Sequence, residues 1–127
     1  MSASHTPVPE FDRPTYPTPR SWFRDYVNRH FNWSFRTFGP GANTESICRH
    51  VEKEVEEIRK KPKDLEEWID LMILGLDGAV RCQGVGNVVA DDIIDALETK
   101  LAKNMRRSWI IPEDPTQPIE HDRTKED

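Results

Sequence analysis

The stretch Asp64-Leu65-Glu66-Glu67-Trp68-Ile69-Asp70-Leu71-Met72-Ile73-Leu74-Gly75-Leu76-Asp77-Gly78-Ala79-Val80 decides the fold of this chain. It opens on an aspartate, a favoured helix N-cap, and runs on to about Gln83, before Gly84 and Gly86. Trp68, Ile69, Leu71, Met72, Ile73, Leu74, Leu76, Ala79 and Val80 leave little polar surface on the helix. A helix apolar nearly all round is buried in its own chain or against another subunit. The acids within it, Glu67, Asp70 and Asp77, are the anomaly, because a lone carboxylate in apolar surroundings would sooner take up a proton.

Working outward, the chain reads as three more helices, with no competing strand signal. Upstream, Thr44 to Lys60 carries Ile47, Val51, Val55 and Ile58 at helical spacing. Lys60-Lys61-Pro62-Lys63 ends it, with basic residues at the negative end of the helix dipole and a proline that blocks continuation. Before it, Ser21 to Phe38 follows Pro19 and sets Phe23, Tyr26, Val27, His30 and Phe31 on one face, with Gly39-Pro40-Gly41 as the stop. Downstream, a helix from near Asn87 to Arg107 turns Ala90, Ile93, Ile94, Leu97, Leu101 and Met105 inward. Short connections make neighbouring helices antiparallel. The expected class is all-α, a bundle of four main helices completed by oligomerisation.

Composition bounds the function. The chain has 127 residues, only 35% of them hydrophobic, and 23 acids outweigh 18 bases for a formal charge of −5. The acidic balance speaks against a nucleic-acid partner, which would ask for a basic footprint. The longest apolar run, Leu71 to Leu74, falls far short of the roughly 20 residues of a membrane span, so no membrane partner is expected. No apolar segment follows Met1 as in a secretory signal, and Cys48 and Cys82 lack CxxC spacing. Both thiols are expected to be reduced, in a cytoplasm, with Cys48 packed as a small apolar residue. Five of the ten prolines fall in the first 19 residues and three lie between Pro112 and Pro118. Residues 1–19 therefore read as a Pro-rich arm, 20–111 as the folding unit, and 112–127 as a charged tail with little to anchor it.

Helical geometry sorts the acids. On the second helix the apolar stripe centres near Val51, with Glu54 about 60° and Glu57 about 120° to one side. Glu52 and Glu56 fall on the opposite flank. On the third helix Glu67 and Asp70 form another i, i+3 pair, and Asp77 lies within about 20° of Asp70. Two such pairs on consecutive antiparallel helices can converge on a hard divalent cation such as Mg²⁺, which relieves their mutual repulsion. A structural account competes for each acid taken singly. Glu67 could close a capping box with Asp64, and Glu57 could pair with Lys61 at i+4. Asp70, without a basic neighbour at i±4, resists that account.

The last helix carries a cationic counterpart. Lys100 and Arg107 lie within about 20° of each other, with Asn104 on the apolar side and Lys103 at the edge. Alone, these residues would be a basic last turn that suits the helix dipole. Beside an inward acidic cluster they suit a triphosphate. Other motifs are weak: the four histidines lack HExxH spacing, and Gly39-Pro40-Gly41 lacks the lysine of a phosphate-binding loop. Trp33 is offered as a base-stacking ring.

Taken together, Glu54-x-x-Glu57, Glu67-x-x-Asp70 and Lys100…Asn104…Arg107 resemble the MazG-like all-α nucleoside triphosphate pyrophosphohydrolases. The strings Phe31-Asn32-Trp33-Ser34, Arg36-Thr37-Phe38-Gly39-Pro40-Gly41, Asp64-Leu65-Glu66-Glu67-Trp68-Ile69-Asp70 and Ala102-Lys103-Asn104 resemble one branch, the MazZ-type dATP/dGTP diphosphohydrolases. The resemblance covers about residues 28–110. It implies hydrolysis of (d)NTPs to monophosphate and pyrophosphate, with Mg²⁺ or Mn²⁺ held by Glu54, Glu57, Glu67 and Asp70. It also implies a homodimer or homotetramer and, in a phage setting within the host cytoplasm, supply of dGMP to 2-aminoadenine nucleotide synthesis. One departure is plain: many relatives open the first pair with a double glutamate, whereas Lys53 precedes Glu54 here.

The expectation is thus a metal-dependent hydrolase of purine dNTPs. Glu57 or Glu54 would serve as general base, and Lys100, Lys103 and Arg107 would neutralise charge on the leaving pyrophosphate. Trp33, Ser34, Asp77 and Asn104 would contact the nucleoside. Its rivals are a pyrimidine-selective, dUTPase-like all-α hydrolase and a non-catalytic helical oligomerisation module.

Overall fold

Local chemistry sets each helix end in the computed structural model, which describes residues 15–84 and 86–125. Residues 1–14 of the expected N-terminal arm lie outside the described residues. Helix α1 spans Pro19–Phe38. Thr18 caps it, its Oγ1 accepting from the Ser21 N–H while Ser21 Oγ accepts from the Thr18 N–H, both at 3.1 Å. Pro19 sits in the first turn, where its missing N–H costs nothing. Gly39, at φ +83°, closes the helix by donating its N–H to the Phe35 carbonyl.

Helix α2, Thr44–Lys60, begins after the left-handed Asn43 and ends as predicted at the Lys-Pro turn. Helix α3, Leu65–Arg81, starts where Asp64 accepts from the Glu66 N–H at 3.0 Å, and Trp68 Nε1 ties its first turn to the Pro62 carbonyl. Helix α4 spans Ala90–Arg106. The turn between α3 and α4 is longer than periodicity suggested, because Gly84 adopts φ +96° and the Asn87 amide takes the Gln83 carbonyl. At that φ a residue with a Cβ would be strained, and its Cβ would press on the Asn87 amide at 2.9 Å.

The chain divides into a unit through Ile93 and another from Ile94, with α4 beginning in the first and continuing in the second. The first unit is cored by Val27, Val80 and Ala90, with Phe23, Phe31, Leu76 and Ile93 packed around them. Ile47 of α2 meets the Gly78 position on α3, while Glu54 meets Glu67 and Asp70. Residue numbers rise along α2 as they fall along α3, so the two helices are antiparallel, as their short connection requires. Arg24 grips both carboxylate oxygens of Asp91 and Arg20 Nη1 donates to Oδ1 as well, fastening the first turn of α4 to α1.

The second unit departs from the expected loose tail. Strands β1 (Trp109–Ile110) and β2 (Glu120–His121) pair antiparallel, Trp109 opposite His121 and Ile110 opposite Glu120. A 3₁₀ turn, Arg123–Lys125, follows. Asp114 and Asp122 each accept from the N–H and hydroxyl of a threonine two residues on, closing the turns that a charged tail did not advertise.

Burial corrects two expectations. Cys48 is exposed rather than packed. Ala90 is buried and Ile93 and Ile94 are half-buried, but Leu97, Leu101 and Met105 are 64%, 58% and 77% exposed. The later part of the α4 stripe thus finds no cover within its own unit. Among these residues no helix is long and apolar enough to cross a membrane.

Candidate active site

Helices α1, α2 and α3 of the first unit border a cavity of about 430 Å³. From α1 come Tyr26, Arg29, His30, Trp33, Ser34 and Phe38; from α2, His50 and Glu54; from α3, Asp70, Ile73, Leu74 and Asp77. The sequence periodicity explains the set. Val27, His30 and Ser34, at i, i+3 and i+7, are the buried residues of α1, so this helix turns one narrow face toward the rest of the unit.

One end of the cavity is acidic. Glu54, Glu67 and Asp70 each place a carboxylate oxygen so that all three lie within 4.8 Å of one another. Glu54 and Glu67 are half-buried and Asp70 is exposed. The Glu67 carboxyl is raised above its ordinary range, first by partial loss of water and then by the Glu57 carboxylate. Asp64 and Asp70 add to the rise while Lys61 opposes it. Three converging oxygens, one of them reluctant to ionise, fit a divalent cation, whose charge offsets the repulsion.

Of the four expected ligands, Glu57 stands outside this group of three. It lies near enough to Glu67 to lift its carboxyl, and Lys60 Nζ approaches it at 3.6 Å, in place of the Lys61 pairing considered above. The alternative capping role for Glu67 is taken up differently: Asp64 caps the Glu66 N–H, and the Glu67 carboxylate joins the cluster. His50 Nε2, one turn before Glu54, sits 3.4 Å from its carboxylate and also lines the cavity.

The other end is a buried polar network. Asp77 Oδ1 accepts from Ser34 Oγ at 2.7 Å and from Arg81 Nε at 3.2 Å. His30 Nε2 lies 3.6 Å from the same oxygen and finds no hydrogen-bond partner among the described residues. Burial lowers the His30 pKa, against an upward pull from Asp77, while Arg81 pushes it further down. Trp33 and Phe38 meet edge to face at 5.3 Å and form an aromatic wall. Asp70 and Asp77, seven residues apart on one face of α3, are separated by about 10 Å of helix rise.

Trp33, Ser34 and Asp77 thus share one cavity with Glu54 and Asp70. The remaining expected residues lie in the second unit, Lys100, Lys103 and Asn104 on α4 and Arg107 just past its end: Lys100 and Lys103 are exposed, while Arg107 Nη1 donates to Asn104 Oδ1 at 3.1 Å. Sequence reasoning missed Arg81. Its i, i+4 relation to Asp77 was readable, but such pairs are ordinarily solvated, and its complete burial depends on α1 and the Gly39–Gly41 loop.

A family profile described as dATP/dGTP pyrophosphohydrolase matches residues 26–125, from Tyr26 at the cavity wall through the acids of α2 and α3 to the second unit. The chain belongs to the dATP/dGTP pyrophosphohydrolase family. It is a hydrolase acting on nucleoside triphosphates, which sets aside the non-catalytic module and favours purine substrates over the dUTPase-like rival. No curated protein and no solved structure gives a match.

Proposed function

We propose that this pyrophosphohydrolase binds dATP or dGTP in the first-unit cavity, with the triphosphate toward Glu54, Glu67 and Asp70 and the base toward Trp33, Ser34 and Asp77. The observation that carries this reading is a single cavity lined by Glu54 and Asp70 of the acidic cluster and by the buried Asp77. Their separation along α3, about 10 Å, is one that a nucleotide spans.

Glu54, Glu67 and Asp70, with Glu57 beside Glu67, would hold Mg²⁺ or Mn²⁺. When bound, the cation supplies charge neutralisation at phosphate oxygens and makes water a stronger nucleophile. Glu57 or Glu54 would accept the proton of the attacking water. Asp77 would accept from N–H donors on the base edge, and the Trp33 ring would stack on the base. Hydrolysis releases the monophosphate and pyrophosphate. Lys100, Lys103 and Arg107 are proposed, on their sequence spacing, as cations that neutralise phosphate charge, and Asn104 as a nucleoside contact.

Leu65, Trp68, Ile69 and Met72, at i, i+3, i+4 and i+7 along α3, are 46%, 47%, 37% and 67% exposed. This solvent-facing apolar stripe supports a homodimer or homotetramer. The setting within a phage-infected cytoplasm, with dGMP passed to 2-aminoadenine nucleotide synthesis, rests on the resemblance of sequence motifs.

The test is incubation with each dNTP and Mg²⁺ or Mn²⁺, resolving monophosphate and pyrophosphate. Turnover is expected with dATP and dGTP and not with dUTP, and is lost on chelation. Glu54→Gln and Asp70→Asn should each lower it at least about 100-fold, the scale of an interaction that supplies several kcal/mol of transition-state stabilisation. Full turnover in both variants would place the chemistry elsewhere.

A further inference from the structure

Arg81 is wholly buried, an uncommon place for a guanidinium, and spends four hydrogen bonds on three separate pieces of chain. Its Nε donates to Asp77 Oδ1 on α3 at 3.2 Å, and its Nη2 donates to Ser34 Oγ on α1 at 2.9 Å. Its Nη1 donates to the carbonyls of Gly39 and Gly41 at 2.9 and 2.8 Å. Those carbonyls belong to a loop whose glycines sit at φ +83° and +94°, a backbone course open to residues without a Cβ. The Phe31 ring lies beside the guanidinium, with its centroid 6.0 Å from Cζ.

The pattern of donation matters as much as its number. Ser34 Oγ accepts from Arg81 and can therefore direct its own proton to Asp77 Oδ1, where it donates at 2.7 Å. Asp77 is held from two sides through one oxygen, Oδ1. The Gly39–Gly41 loop is drawn to the same guanidinium, and Phe38, the residue before it, forms the cavity's aromatic wall with Trp33. A lysine ammonium, with three donors radiating from one point, cannot reach these acceptors in the planar fan that arginine offers.

We infer that Arg81 is a positioning residue for the nucleobase end of the cavity, orienting the Asp77 carboxylate and drawing in the loop that carries the Phe38 wall. Arg81 does not touch the substrate; it acts through Asp77, Ser34 and the loop. The inference rests on the reading of this cavity as the nucleotide site. It predicts that Arg81 governs recognition of the nucleoside and leaves the phosphate end alone.

The experiment measures kcat and KM for dATP and dGTP, and competition by inorganic tripolyphosphate, in the wild-type protein and in Arg81→Lys. Thermal melts confirm that the variant is folded. The expected result is a KM rise of about tenfold for the nucleotides, the loss of roughly 1.4 kcal/mol of binding. It comes with kcat within about threefold and a changed dGTP to dATP ratio, the signature of lost uniform binding. The tripolyphosphate inhibition constant, which reports only the phosphate end, is expected to stay put. Arg81→Gln, which keeps an amide donor for Asp77 but cannot span to the loop carbonyls, should show the same split and serves if Arg81→Lys fails to fold. A loss of kcat shared equally by both nucleotides, a parallel weakening of tripolyphosphate, or no change at all would overturn the inference. Glu54→Gln, assayed alongside, separates the two failures: if it too leaves turnover intact, the site reading is wrong and Arg81 loses its context.

Discussion

His30 shows how a single buried side chain reports on the network around it. Its imidazole is held below the ordinary value of 6.5 chiefly by burial, with Asp77 and Arg81 pulling in opposite directions. Above 6.5 the ring is neutral in the folded and unfolded chain alike. Between 6.5 and the lowered folded value, the unfolded chain takes up a proton that the folded one refuses. Stability is therefore intact above 6.5 and falls as pH drops through that window. Urea unfolding at stepped pH should show this loss, and His30→Gln should flatten it. In Asp77→Asn, which removes the charge that favours the imidazolium, the His30 titration followed by NMR should move lower still. Ser34→Ala leaves the Arg81 Nη2 donor and Asp77 Oδ1 each short of a partner in a buried setting, and should cost about 1–3 kcal/mol in denaturant unfolding. At this scale the sequence was partly legible. The i, i+3 acid pairs announced themselves through spacing, yet which acid stands apart from the converging three depends on the fit of α2 against α3.

Helix ends were the most readable elements, because capping is local. Pro19, Asp64 and the lysines before Pro62 act within a few residues of where they stand, and Thr18, which the expected start near Ser21 passed over, does the same. Thr18→Ala removes a reciprocal capping box and should cost about 1 kcal/mol of stability by urea unfolding, with Thr18→Ser restoring most of it. The α1–α4 fastening behaves differently. Asp91 is held below the usual carboxylate range, first by its hydrogen bonds from Arg24 and then by Arg20. Its contribution is present above the ordinary aspartate value of 3.8 and is lost as pH falls through the lowered one. Because the three side chains are well exposed, Asp91→Asn should matter little, and what effect it has should shrink further in molar salt. The β1–β2 pairing was not legible: two-residue strands carry too little pattern, and their partner lies ten residues away across a turn.

For the whole molecule, a small core and a large apolar remainder point the same way. Val27, Ile58, Val80 and Ala90 are the buried apolar residues among those described, while Trp68, Met72 and others of α3 face solvent. Sedimentation velocity should find the protein as a dimer or larger. A charge placed on the α3 stripe, Met72→Glu, should weaken that association at least about tenfold, as expected for carrying an unpaired carboxylate into an apolar interface. An unshifted distribution would remove α3 from the assembly surface. The over-apolar third helix was plain in the sequence, since periodicity and capping are properties of neighbours along the chain. So were the all-α class and the two i, i+3 acid pairs. Only the folded structure could turn Arg81 from a surface partner of Asp77 into a buried hub. Its four acceptors come from residues between 4 and 47 positions away, and no local pattern encodes where such distant groups meet.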